Sequence, residues 1–285
     1  MTTQDDGAEW TTIVRPKSGL LDFNLKEILH YKFLMYLFVR RDFVSQYKQT
    51  ILGPLWLVIQ PLFTTGIYTI IFGSLAKIPT DGLPQPVFYM AGITLWNYFS
   101  SCVGGTSSVL VSNSGIFGKV YFPRLTVPVT AVITKLYTFS VQLVLFLILM
   151  GVYMLKGANV HPNLFILCLP VLLAHAALLG MAIGLWSSAV TIKYRDLSYL
   201  IGYGMSLLMW ATPIVYPLSF VPDKYRWLIY LNPAAPIVEV FRYGFTGAGG
   251  FPAASYALSL CVTAIILFTG LIVFHQAEQT FIDVV

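Results

Sequence analysis

The chain has 285 residues, 57% hydrophobic and only 10% charged, with a formal net charge of +5, against roughly 25% charged in an ordinary soluble domain. No water-soluble fold hides that much apolar surface, so a soluble enzyme and a nucleic-acid-binding module are both excluded. The three cysteines, Cys102, Cys168 and Cys261, each lie in an apolar stretch and form neither a disulfide framework nor a zinc-ligand spacing.

In chain order, residues 1–24 read as a polar cytoplasmic segment and residues 25–50 as an interfacial amphipathic helix. In the latter, Leu25, Ile28, Leu29 and Tyr36 recur at helical spacing, and the apolar run from Phe33 to Val39 is too short to span a bilayer. Arg40, Arg41, Asp42 and Lys48 suit water or lipid headgroups, whereas Ile51 to Ala76 carries no charge. The first span therefore starts near Ile51, and with no small-residue cleavage site it stays as an anchor. Six spans are expected, near 51–75, 87–111, 125–150, 164–190, 198–221 and 254–274, the third interrupted by Lys135 alone. Residues 276–285 form a tail. Between the last two spans, 222–246 is too polar to cross and too aromatic for a free loop. Its prolines, Pro222, Pro233 and Pro236, suit two short helices near 222–231 and 236–246 at the outer surface. Glu239 and Arg242, three apart, can pair there.

Basic residues alternate between the connections. Arg15, Lys17, Lys26, Lys32, Arg40, Arg41, Lys48, Lys119, Arg124, Lys193 and Arg195, eleven of the seventeen, fall on one side. The positive-inside bias places that side and both termini in the cytoplasm. Pro61 in span one and Pro213 and Pro217 in span five remove backbone donors. Lipid tolerates this only where the freed groups face protein or a water-filled cavity, so these two spans either line a path or are kinked simply to pack.

Aromatic side chains fall on or beside spans one, two and five: Trp56, Phe63, Tyr68, Trp96, Tyr98, Phe99, Trp210 and Tyr216. They are candidates for lining a path in which ring faces stack on sugars, or they belt the interface and pack helices. Lys135 joins them as a candidate. About ten residues into its span, it lies roughly 15 Å deep, where it meets a phosphate or acidic sugar, or else snorkels or takes backbone carbonyls. His175 reads as a packing histidine. The nearest string to a phosphate loop, GIFGKVY at Gly115–Tyr121, lacks both the spacing and the hydroxyl. No catalytic set and no metal-ligand cluster is apparent.

Four strings occur in register: RRDFVSQYKQTILGPLWLVIQP from Arg40, KVYFPRLTVP from Lys119, KYRDLSYL from Lys193, and TPIVYPLSFVPDKYRWLIYLNPAAPIVEVFRY from Thr212. Together they resemble the membrane subunit of ATP-binding-cassette exporters of lipid-linked polysaccharides, the O-antigen, teichoic-acid and capsule type. The resemblance implies an all-α polytopic permease of six transmembrane helices in the bacterial inner membrane. It implies a homodimer that binds two copies of a separate ATPase and moves the glycan outward, with ATP and Mg held by that ATPase and no cofactor by this chain. It assigns ATPase coupling to Arg40, Arg41, Asp42, Lys119, Tyr121, Phe122, Pro123, Arg124, Tyr194, Arg195 and Asp196. An outer, re-entrant gate falls to Tyr225, Trp227, Tyr230, Asn232, Glu239 and Arg242. The alternatives are a permease for drugs or small lipids, and a polytopic transferase using one of Asp42, Asp81, Asp196, Asp223 or Glu239.

Overall fold

The computed structural model describes residues 30–48, 50–117, 122–194 and 196–284. Lys119, Tyr121 and Arg195, and the helical positions Leu25, Ile28 and Leu29, lie outside the described residues. The described chain is all-helical. In chain order the helices are α1 (Lys32–Tyr47), α2 (Trp56–Tyr68), α3 (Gln85–Ser107), α4 (Val109–Ser112), α5 (Ser114–Phe117), α6 (Thr126–Leu155), α7 (Leu169–Lys193), α8 (Leu197–Trp210), α9 (Asp223–Tyr230), α10 (Ala234–Thr246) and α11 (Ala253–Val284).

The spine is a sandwich of α3, α7 and α11, and glycines set its spacing. A Cβ at Gly180 would fall 2.7 Å from Cys102 Cβ, and one at Gly184 2.4 Å from Thr106 Cβ. The small residues, four apart, let α7 lie directly against α3. On the other side of α7, a Cβ at Gly270 of α11 would sit 3.0 Å from the Ala182 carbonyl. Helix α6 packs along α3 through Phe139 and Phe146, and Asn97 Nδ2 donates to Gln142 Oε1 across that seam at 3.2 Å. Serine and threonine hydroxyls within these helices donate to the carbonyl one turn back, as Thr94 does to Met90, Thr130 to Thr126 and Thr191 to Ser187. That local bond is how a hydroxyl is satisfied away from water.

Among the described residues, four stretches are long and apolar enough to cross a membrane: Gly53–Leu75, Thr126–Leu155, Leu164–Ile192 and Ala253–Glu278. The other two expected spans differ for separate reasons. Helix α3 has 23 residues, about 34 Å at 1.5 Å per residue. It is less apolar because Gln85, Thr94, Asn97, Ser100, Ser101, Thr106 and Ser107 lie along it, and most of its length is buried by its neighbours. Helix α8 stops at Trp210 rather than near 221, with 14 residues, so it reaches about 21 Å where a hydrocarbon core needs about 30 Å. Pro213 and Pro217 account for the stop, since neither can donate to continue the ladder.

Other boundaries shift as well. The second span ends at Ser107 and continues as the short turns α4 and α5, and the last span and the expected tail form one helix, α11. In the first span, Pro54 opens a 3₁₀ turn at Gly53–Leu55 after Gly53 at φ +48°, and Thr69–Leu75 is π-helical. The widened turn brings Gly73 against the start of α3, where a Cβ would fall 2.1 Å from Gln85 Oε1.

Candidate functional site: a helical hairpin and a knot of side chains

After Trp210 the chain runs irregularly through 211–217 and returns as the hairpin α9–α10. Three side chains tie this break to the bundle. Arg242 of α10 donates from Nη1 to Glu239 Oε1 at 3.0 Å and from Nη2 to the Pro213 carbonyl, and its guanidinium sits 3.9 Å above the Phe88 ring of α3. Gly92 of α3 opposes this cluster, since a Cβ there would lie 3.0 Å from Ile214 and 3.3 Å from Arg242. Asn232, in the turn between α9 and α10, donates from Nδ2 to Thr212 Oγ1 at 2.8 Å and accepts from the Ala234 amide at 3.0 Å. Ser219 donates to Asp81 at 2.6 Å and so links the hairpin to the α2–α3 turn, where Asp81 holds φ +51°.

Two short helices, α9 and α10, form where the prolines predicted them, but the expected surface position of the second is corrected. Tyr225 and Trp227 are exposed and Tyr230 is half-buried. Helix α10, in contrast, is almost wholly buried, because Phe241 and Phe245 pack on Phe146 and Phe139 of α6. Glu239 and Arg242 are accordingly an internal ion pair, 8% and 3% exposed, and not a surface one.

The path-lining candidates divide. Trp56, Phe63 and Trp210 are exposed, and Tyr68 and Tyr216 are half-buried. Tyr68, Phe72 and Trp210 form a ring cluster joining the C-terminal ends of α2 and α8, and the Tyr216 hydroxyl donates to the Trp210 carbonyl. Tyr98 and Phe99 are buried core residues, Tyr98 against Phe139 and Phe99 against Trp96, which corrects their assignment to a path. Trp96 is buried too, but it borders a cavity of about 280 Å³ between α3 and α8, lined also by Ser100 and Gly104 of α3 and by Gly202 and Ser206 of α8. Lys135 faces none of these; it lies on a separate cleft with Arg41 and Asp42.

The coupling candidates also divide. Arg40, Tyr194 and Asp196 are exposed. Arg41 pairs with Asp42 at 2.8 Å, donates to Asn113 Oδ1 at 3.0 Å and sits 4.8 Å over the Phe38 ring. Phe122, Pro123 and Arg124, expected to be presented to a partner, are buried. Phe122 packs on Phe38 and Phe117. Arg124 donates to the Glu278 carbonyl, lies 3.8 Å from its carboxylate and covers the Phe117 ring. These contacts fasten α1, the segment leading into α6 and the end of α11 together.

The sequence reading missed the Gly180–Gly184 pair, whose spacing was visible, and the link from Asp81 to Ser219, for which no local signal exists. It also missed the partners of His175. The imidazole Nε2 lies 3.0 Å from Thr263 Oγ1 and 3.3 Å from Ser259 Oγ, with the ring edge-on to Tyr256, in keeping with a packing histidine.

Comparison with known proteins gives a consistent picture. Residues 34–246 match the family model described as ABC-2 type transporter. The chain is 26% identical over 267 residues to the O-antigen export system permease protein RfbA of Klebsiella pneumoniae, covering 93% of this chain and 100% of that protein. It is 25% identical to the RfbA protein of Myxococcus xanthus, over 91% of this chain and 98% of the relative. The polysialic acid transport protein KpsM of Escherichia coli is 22% identical, over 84% of this chain and 91% of its own length.

Proposed function

The chain belongs to the ABC-2 type transporter family, as a multi-pass membrane subunit that works with an ATPase subunit rather than hydrolysing ATP itself, and from that premise we propose that it exports a lipid-linked polysaccharide. O antigen is the favoured cargo. The observation that carries this is the match along nearly the whole length of O-antigen export permeases from two bacteria. The match to a polysialic acid transporter keeps a capsular glycan as the second reading. In this proposal the protein sits in the bacterial inner membrane with both termini cytoplasmic and forms a homodimer served by two ATPase copies that hold ATP and Mg.

Six crossings follow if α3 is a span walled in by protein and α8 completes its crossing through the irregular 211–217 segment. Two features support a path between protomers. Helix α2 with the π-helical turn after it, and helix α8, expose long apolar and aromatic faces in the single chain, including Phe63, Ile70, Tyr203 and Trp210. The break after α8 is held by buried polar side chains rather than by lipid-facing ones, as irregular backbone at membrane depth requires. The buried Arg242–Glu239 pair then acts as the hinge pin of the outer gate, and the Phe38–Phe122–Arg124 knot transmits the ATPase stroke to α6 and α11.

Deleting the gene from its host tests the reading. Complete lipid-linked glycan is expected to accumulate inside the cell and to reach the surface again on complementation. Normal surface display, or absence of the finished glycan, would refute it.

A further inference from the structure

An open cleft of about 360 Å³ lies between α1, the inner end of α3 with α4, and α6, and its wall includes Arg41, Asp42, Ser45, Asn113 and Lys135. Lys135 stands nine residues beyond Thr126, the start of α6, hence about 14 Å along that helix. Its ammonium makes no hydrogen bond and no ion pair with any described residue, and no backbone carbonyl receives it. The carbonyl-capped reading of this lysine is thus corrected. The space for its stem is provided by α3: a Cβ at Gly105 would sit 3.2 Å from Lys135 Cε.

Arg41 behaves differently. Asp42 and Asn113 hold its guanidinium, and Asp42 offsets its charge, so the cleft keeps one uncompensated positive charge, on Lys135. Ser45 and Gln46, on the same wall, also have no hydrogen-bond partner among the described residues. A lysine within a membrane-spanning helix that has no partner among the described residues and borders an open polar cleft is placed to meet an anion. A carboxylate offers two oxygens in one plane. A phosphate offers several oxygens in different directions, which suits an ammonium, a hydroxyl and an amide converging from two helices.

We propose that this cleft binds a phosphate-bearing anion, with Lys135 as its charge partner and Ser45 and Gln46 as further donors. The proposal deepens the export reading and rests on it for the source of the anion, a lipid carrier whose phosphate or diphosphate end reaches the cleft from the inner leaflet. Lys135 would then hold the head of the cargo at the inner end of α6, directly beside the knot that passes on the ATPase stroke.

The test uses the full chain in phosphatidylcholine nanodiscs, with farnesyl diphosphate, inorganic pyrophosphate and farnesol as probes and direct binding as the readout. Farnesyl diphosphate is expected to bind saturably and farnesol not at all. Lys135→Gln should weaken binding about tenfold or more, the scale of one charge-assisted hydrogen bond. Lys135→Arg should stay within about threefold of wild type, since a guanidinium also pairs with phosphate. Gly105→Val, which crowds the lysine stem without touching its charge, should weaken binding too. Competition by pyrophosphate would show that the head is what is read, and binding of pyrophosphate alone would make a free anion the source. Equal binding by wild type and a Lys135→Gln variant of unchanged melting temperature overturns the proposal, as does farnesol binding like its diphosphate. Neither ATPase nor glycan enters this assay, so a failed export reading leaves its result standing, and lost binding with intact export removes the cleft alone.

Discussion

Replacing Arg242 by methionine removes a group that joins three parts of the fold at once. The substitution leaves the Glu239 carboxylate, 8% exposed, without its partner at 3.0 Å. It also strips the Pro213 carbonyl of its donor and empties the site 3.9 Å above Phe88. Breaking a buried pair on one side costs about 3–5 kcal/mol, and the lost cation–π contact adds about 1–2 kcal/mol when desolvated. Glu239→Gln keeps an oxygen that accepts from Arg242 but strands the guanidinium, 3% exposed, without its counter-charge, so it too should cost about 3 kcal/mol, at the lower end of the same range. The double variant Glu239→Leu/Arg242→Met should recover much of the single-variant loss, since no buried charge remains. The assay is unfolding of the purified protein in bicelles by added SDS, read from far-UV circular dichroism. If Arg242→Met lies within about 0.5 kcal/mol of wild type, against the several expected, or if the double variant falls by the sum of the single changes, the pair is not the internal clasp described.

Three further outcomes follow. Gly184→Val places atoms where a Cβ alone would be 2.4 Å from Thr106 Cβ, so α7 must back away from α3 at a cost of about 1–3 kcal/mol or more; Gly151→Ala, where nothing lies within 4 Å, should be neutral or slightly stabilising in the same melt. Tyr98→Ala, in the core beside Phe139, should lose about 3–5 kcal/mol, whereas Phe63→Ala, 69% exposed, should leave the single chain's stability within about 0.5 kcal/mol yet slow export if that face borders the path. Arg124→Ala cuts the tie to Glu278 and Phe117 and should lower glycan export in cells more than it lowers the amount of protein in the membrane, as judged by quantitative blotting.

Much of the helical plan was legible because charge-free runs and prolines are one-dimensional signals. The lysines and arginines outline where helices leave the apolar layer, and Pro213 and Pro217 mark the end of α8. The three-residue spacing of Glu239 and Arg242 was enough to pair them. Burial was not legible. In a chain apolar on every face, the 3.6-residue periodicity that separates inside from outside in soluble helices fades. Nothing local distinguishes Tyr98, packed on Phe139, from Phe63, which is exposed. The same loss of contrast hid the depth of α10, whose Ile237, Val238, Phe241 and Phe245 read as an interfacial face but fill the core. Phe122 and Arg124 were expected at a partner surface because the family resemblance assigns them to ATPase coupling. Their partners Phe38 and Glu278 lie far off in sequence, at opposite ends of the chain, and only tertiary packing brings them together.

The most direct test of the account is transport by the purified chain in proteoliposomes, with and without its ATPase subunit, following a labelled lipid-linked polysaccharide from the outer to the enclosed leaflet in the export direction. ATP hydrolysis and glycan movement are expected only when both proteins and ATP are present. Uphill movement or ATP hydrolysis by this chain alone would contradict the account.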